Sequence, residues 1–228
     1  MTAAPRQLVF DLAHRQALGA EDFLVSSSND AAVEMVDRWP DWPHPAAIVA
    51  GPQGSGKSHL ANVWRLRSGA GLVTAVELDD ARVAALEPSA ALVVEDLDRG
   101  IGDEKVLFHL LNRARESKLS VLLTSRTPPG EQEFRVPDLR SRLRALPIVQ
   151  VQPPDEALLK AVLVKLFADR QLNVEPPVID YLSLRMERSM AAANRIVAVV
   201  DRLALATHRK VTRPLAAEAL ASLGESRE

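Results

Sequence analysis

The run Gly51-Pro52-Gln53-Gly54-Ser55-Gly56-Lys57-Ser58 restricts the fold of this chain more than any other stretch. Two glycines bracket four residues and are followed at once by a lysine and a hydroxyl, the pattern of a loop whose backbone N–H groups curl around phosphate oxygens. Such a loop needs a buried strand to fix its start and a helix to follow, because helix N-terminal N–H groups and the helix dipole favour an anion. Both neighbours are present. The apolar run 46–50 precedes the loop and a helical pattern over 59–67, opening at His59, follows it. In that setting Lys57 reaches the outer phosphates of ATP or ADP and the Ser58 hydroxyl ligates Mg²⁺. A glycine-rich turn with a solvated lysine is the bland alternative, and it does not explain the register with strand and helix.

Four further apolar runs, 72–78, 90–94, 119–124 and 148–151, alternate with helical patterns. Short strands separated by helices read as a parallel sheet buried on both faces, hence an α/β domain. The segment 104–117 puts Val106, Leu107, Leu110 and Leu111 on one helical face, suited to packing on that sheet. A shorter helix is expected before Trp39, opened by Ser28 or Asn29. At Pro153-Pro154 the pattern changes, and only helical periods follow. The expected organisation is a tail over 1–20, an α/β nucleotide-binding domain over 21–152 and an all-helical domain over 153–228.

Composition removes several classes. There is no cysteine, which excludes disulfides, thiolate metal sites and a cysteine nucleophile. Lys and Arg total 28 against 30 Asp and Glu, a net charge of −2, so no overall field draws in a polyanion and any contact with nucleic acid must be local. No apolar run approaches the roughly 20 residues that span a bilayer, and the N-terminus lacks the order of a signal peptide. A cytoplasmic protein without a membrane partner is expected.

Three other segments carry chemistry. A phosphate loop needs an apolar strand ending in acid, and Ala91-Leu92-Val93-Val94-Glu95-Asp96 fits, with Glu95 on the metal side and Asp96 placed to polarise a water. The strand ending Leu123-Thr124-Ser125-Arg126 offers hydroxyls beside the outer phosphate, or is simply a strand meeting a turn. Arg140, Arg142 and Arg144 alternate after Pro137, which by itself reads as a solvated loop.

Together the phosphate loop running into Ser58-His59-Leu60, Glu95-Asp96, Leu123-Thr124-Ser125 before Pro128-Pro129, and Pro137-Asp138-Leu139-Arg140-Ser141-Arg142-Leu143 stand in the order and spacing of the AAA+ module of the bacterial replication initiator DnaA. Over residues 20–222 the chain more closely resembles the Hda family, short DnaA paralogues that inactivate the initiator. The resemblance implies a five-stranded parallel sheet sandwiched by helices plus a small helical lid, with ADP held between them. It gives Arg142 the role of an arginine finger supplied in trans to ATP on DnaA, and it places adenine near the segment of Phe23 and Val25. Gln7, Leu8, Phe10 and Leu12 look like the motif that docks on the DNA polymerase III sliding clamp. Because the chain ends at Glu228, no helix-turn-helix domain and no direct sequence-specific DNA binding are expected, while a homo-oligomer stays open. Two departures bear on turnover. Ala191 stands where the lid arginine of these families is found, and Glu95 stands where Asp is usual, so weak intrinsic hydrolysis is expected. A helicase-loader-type ATPase and a clamp-tethered scaffold that adds no catalytic charge are the alternatives.

Overall fold

A strand can be apolar along its whole length only where both faces are covered, and in β1 (Ala46–Ala50) every residue is buried. The computed structural model describes residues 24–225. In it β1 lies inside a five-stranded parallel sheet of order β2-β3-β4-β1-β5. The other strands are β2 (Gly71–Thr74), β3 (Ala91–Glu95), β4 (Ser120–Ser125) and β5 (Ile148–Gln150). With β4 inserted between β1 and β3, Ala50 is level with Ser125, and the carboxyl ends of β1, β3 and β4 lie side by side.

Pleating divides the core in two. Ile48, Leu92, Val94, Val121 and Leu123 pack with Leu107, Leu110 and Leu111 of α4 (Glu104–Glu116) and with Leu139 and Leu143 of α5 (Pro137–Arg144). On the other face, Val33 and Val36 of α1 (Asp30–Asp37) and Leu60 and Trp64 of α2 (Lys57–Ser68) are buried. The Trp64 ring is stacked on Trp42 and edge-on to Trp39, which anchors the proline-rich segment ahead of β1. A short α3 (Asp80–Ala84), capped by the Asp79 side chain, follows β2.

Two expectations are corrected. The run 72–78 does not stay extended. Strand β2 ends at Thr74, and Ala75 and Leu78 are buried within a turn, so their apolar character reports burial and not strand. The segment of alternating arginines is no loop. It is α5, started by Pro137 at its first position and held down by Leu139 and Leu143, one turn apart and fully buried.

By contacts the described chain divides into two compact units, Ser27–Pro153 and residues 154–225, with Leu24–Ser26 grouping with the second. The second unit holds α6 (Glu156–Asp169), α7 (Pro176–Ser183), α8 (Met190–Thr207) and α9 (Arg213–Glu225). Asp155 and Ser189 cap α6 and α8 by accepting from Leu158 N and Ala192 N. Leu163, Phe167, Ile196, Val197, Val200 and Leu215 form its core. No helix among the described residues is long and apolar enough to cross a membrane.

Candidate nucleotide-binding site

The phosphate loop begins where β1 ends, and its geometry depends on glycine. A Cβ on Gly51 would run into the Val151 carbonyl beyond β5, while Gly54 and Gly56 have φ of 76° and 105°. Gly56 is the N-cap of α2, whose first-turn N–H groups have no intrahelical acceptor. Gly51→Ala should therefore lose nucleotide binding while the four-helix unit keeps its signal in hydrogen exchange; undiminished binding by calorimetry would refute the close-approach argument.

Lys57 is buried and donates from Nζ to the Pro52 carbonyl at 2.9 Å. Burial pushes its pKa down; Asp98, Asp96 and Glu95 oppose that shift and Arg126 adds to it. Among the described residues the buried Ser55 hydroxyl has no hydrogen-bond partner, nor has Oε1 of Glu95 at the end of β3. An ammonium resting on its own loop, an orphaned hydroxyl and an open helix start fit an anionic phosphate chain. Pro52, Gln53, Ser58 and His59 are exposed around the loop. Ser58 and Glu95 would hold Mg²⁺ together with phosphate oxygens and water, a cation that keeps much of its hydration.

Asp96 leaves the strand in the left-handed region, at φ 61°, and its carboxylate lies 3.4 Å from Arg99. Its backbone N donates to Thr124 Oγ1 at 3.1 Å. The two hydroxyls of the Thr124-Ser125 strand end are thus already engaged: Ser125 Oγ accepts from Gln132 Nε2 at 2.8 Å and lies 3.4 Å from Asp98. Sequence reasoning passed over Asp98. Its Oδ1 accepts from Arg126 N at 2.6 Å and its Oδ2 lies 3.3 Å from Arg126 Nε, so the arginine beside the phosphate loop is paired. The signal was an acid three residues past the end of β3, meeting an arginine just past the end of β4.

The reading of a solvated loop puts Arg142 in water, and the structure does not. Arg140 and Arg144 are exposed, with Arg144 donating to the Gly130 carbonyl at 3.2 Å, whereas Arg142 is half-buried with its guanidinium carbon 5.9 Å from the centroid of Phe108 on α4. No carboxylate pairs with it among the described residues. Its charge is felt at His44, where burial, then Arg115 and Arg142, push the imidazole pKa down against the Ala46 carbonyl. Arg142 is in the last turn of α5, which leads into the start of β5 at Ile148, so it lies toward the amino end of the sheet, while Lys57 follows the carboxyl end of β1. Val25 is half-buried ahead of α1 in the segment that groups with the helical unit. Gln7, Leu8, Phe10, Leu12 and Phe23 lie outside the described residues. Ala191 is on the first turn of α8, and Arg195, one turn on, is 3.6 Å from Glu187.

Residues 155–220 match the family described as the Hda lid domain. Over 142 residues the chain is 32% identical to the chromosomal replication initiator protein DnaA of Thermomicrobium roseum, a match covering 57% of this chain and 28% of that protein. The matched stretch is thus under a third of the relative's length. Domain III of Thermotoga maritima DnaA superposes with a TM-score of 0.73 at 18% identity, covering 88% of this chain and 94% of that structure. AMPPCP-bound DnaA from Aquifex aeolicus superposes at 0.66 and 20% identity, over 81% of this chain and 64% of that one. The sheet order, the phosphate loop and the helical unit are those of an AAA+ fold.

Proposed function

We propose that this chain, a DnaA-related AAA+ protein with an Hda-type lid, is a negative regulator of replication initiation that holds ADP in its own phosphate loop, is tethered to the sliding clamp and stimulates ATP hydrolysis by DnaA. The observation that carries the reading is the place of Arg142. Among the described residues no carboxylate pairs with its guanidinium, and the last turn of α5 puts it toward the amino end of the sheet, away from Lys57, a place that supports a role on a nucleotide held by another molecule. Set beside the γ-phosphate of DnaA-bound ATP, a fixed cation offsets charge that develops as the terminal phosphoryl group is transferred. Packing on Phe108 keeps it oriented without an ion pair that would have to break first.

In its own site Lys57, Ser55 and the start of α2 bind the phosphates of ADP or ATP, and Ser58 with Glu95 holds Mg²⁺, which neutralises phosphate charge when bound. Asp98 spends its carboxylate on Arg126, and Ala191 offers no cation from the lid, which supports slow turnover. A steady-state assay of the protein alone should give well under about one ATP per second. Faster turnover would replace this reading with the helicase-loader type of ATPase.

Residues 7–12 supply the clamp tether in this reading. Gln7→Ala with Leu8→Ala should weaken clamp binding at least about tenfold, through lost pocket filling and a lost amide hydrogen bond, with no change in the unfolding temperature. Equal affinities in surface plasmon resonance would remove the tether from the mechanism.

A further inference from the structure

In the helical unit most acidic side chains are matched to cations: Lys160 meets Glu156 and Asp180, Lys165 meets Asp169, Arg170 meets Asp201, Arg195 meets Glu187 and Arg209 meets Glu218. Arg185 and Arg213 are different. Their guanidinium carbons lie 4.2 and 4.8 Å from the centroid of one ring, that of Tyr181 on α7, and neither pairs with a carboxylate among the described residues. Like charges repel, and the negative face of a tyrosine attracts each cation without cancelling either charge. Two helices and a turn bring this about: α7 carries the ring, Arg185 lies in the turn that follows it, and Arg213 opens α9. Lys210, exposed and likewise without a carboxylate, lines with Arg213 a groove of about 640 Å³ whose lining includes a single acid, Glu175.

We infer that Tyr181, Arg185, Arg213 and Lys210 form a contact site for the phosphate backbone of DNA, independent of sequence. The ring holds both guanidinium groups close to one centre, and a guanidinium fork matches two phosphate oxygens at once. Lys210 adds a compact charge beside them. With a net charge of −2 on the chain, attraction to a polyanion has to come from a local cluster of this kind. The choice of DNA over an acidic protein rests on the reading above, in which the chain works on clamps loaded on DNA.

The test is fluorescence anisotropy of the full chain with a labelled duplex of about 20 base pairs, at several salt concentrations, without clamp or DnaA, so that this site and the regulatory reading fail separately. Three phosphate contacts predict a slope of about −2.7 for the logarithm of affinity against that of salt. Arg185→Glu with Arg213→Glu should bind at least about tenfold more weakly, with a slope shallower by nearly 2. Should that pair disturb the fold, seen as a lowered unfolding temperature, Arg185→Gln with Arg213→Gln should give the same direction. Equal binding by wild type and both variants, or no binding by wild type at low salt, overturns the site. Competition by polyglutamate as strong as that of unlabelled duplex overturns DNA as its ligand.

Discussion

Arg142→Ala protein is expected to fold, bind ADP and bind the clamp as wild type does, and to lose stimulation of DnaA hydrolysis by about 10³-fold or more, the range a trans arginine supplies in phosphoryl transfer. The measurement is single-turnover hydrolysis of ATP on DnaA in the presence of clamp on DNA. Arg140 and Arg144 are internal controls, since both are exposed on the same helix and neither packs on Phe108. Their alanine variants should keep most of the stimulation. Because the Arg142 side chain covers part of Phe108, a stability loss of under about 1 kcal/mol accompanies the substitution. That loss is too small to explain a thousandfold change in rate. Stimulation by the Arg142→Ala protein equal to wild type would leave the regulatory mechanism without its catalytic group.

Lys57→Ala should weaken ADP binding by at least about 100-fold, the upper range for losing a hydrogen bond to a charged group. The loss has a second source. The charges of Asp98, Asp96 and Glu95 reach Lys57, and without the ammonium they act on the phosphates with Arg126 paired to Asp98 and Arg99 to Asp96 as a partial offset. In the absence of nucleotide the variant should melt no lower than wild type, because a buried lysine whose pKa is pushed down is a cost to the folded state. That cost is largest while the amine is charged, and it eases as pH rises into the lysine range. Binding has the opposite sign: phosphate draws the pKa back up, a proton is taken up, and ADP affinity falls as pH rises through the same alkaline range. Isothermal calorimetry in two buffers of different ionisation heat reads that proton directly. An unchanged ADP affinity for Lys57→Ala would mean that the loop does not bind phosphate through this residue.

How much of this was legible depends on where each signal lies along the chain. Strands β1, β3 and β4 were readable because burial on both faces leaves continuous apolar runs, whereas the edge strands β2 and β5 are largely exposed, and the phosphate loop was readable because all its residues are local. The same logic over-extended β2, since Ala75 and Leu78 are buried in a turn and look no different from strand residues. For α5 the information was present and outweighed: Pro137 and the Leu139–Leu143 spacing indicate a helix, while three alternating arginines suggest solvent. The part played by Asp98 could not be read from its neighbours. Its partner Arg126 is 28 residues away along the chain and meets it only because β3 and β4 lie side by side. The contact of Arg142 with Phe108 is of the same kind, a pairing between α4 and α5 that fixes exposure after the core has formed.

The strand order has a consequence for the order of synthesis. Both neighbours of β1, namely β4 and β5, are encoded after it, and β4 begins about 70 residues downstream of Ala50. At ribosomal rates of about 5–20 residues per second, β1 waits on the order of 4–14 s with both of its edges unpaired. Gly51 reaches its final setting later still, when Val151 emerges and donates its N–H to the Ala50 carbonyl at 2.7 Å. Nucleotide therefore cannot template this domain early in translation. It can act only as a late clasp on a sheet that has already closed, and the half-made chain, with an apolar strand exposed along two edges, is the stage at which chaperones are needed most.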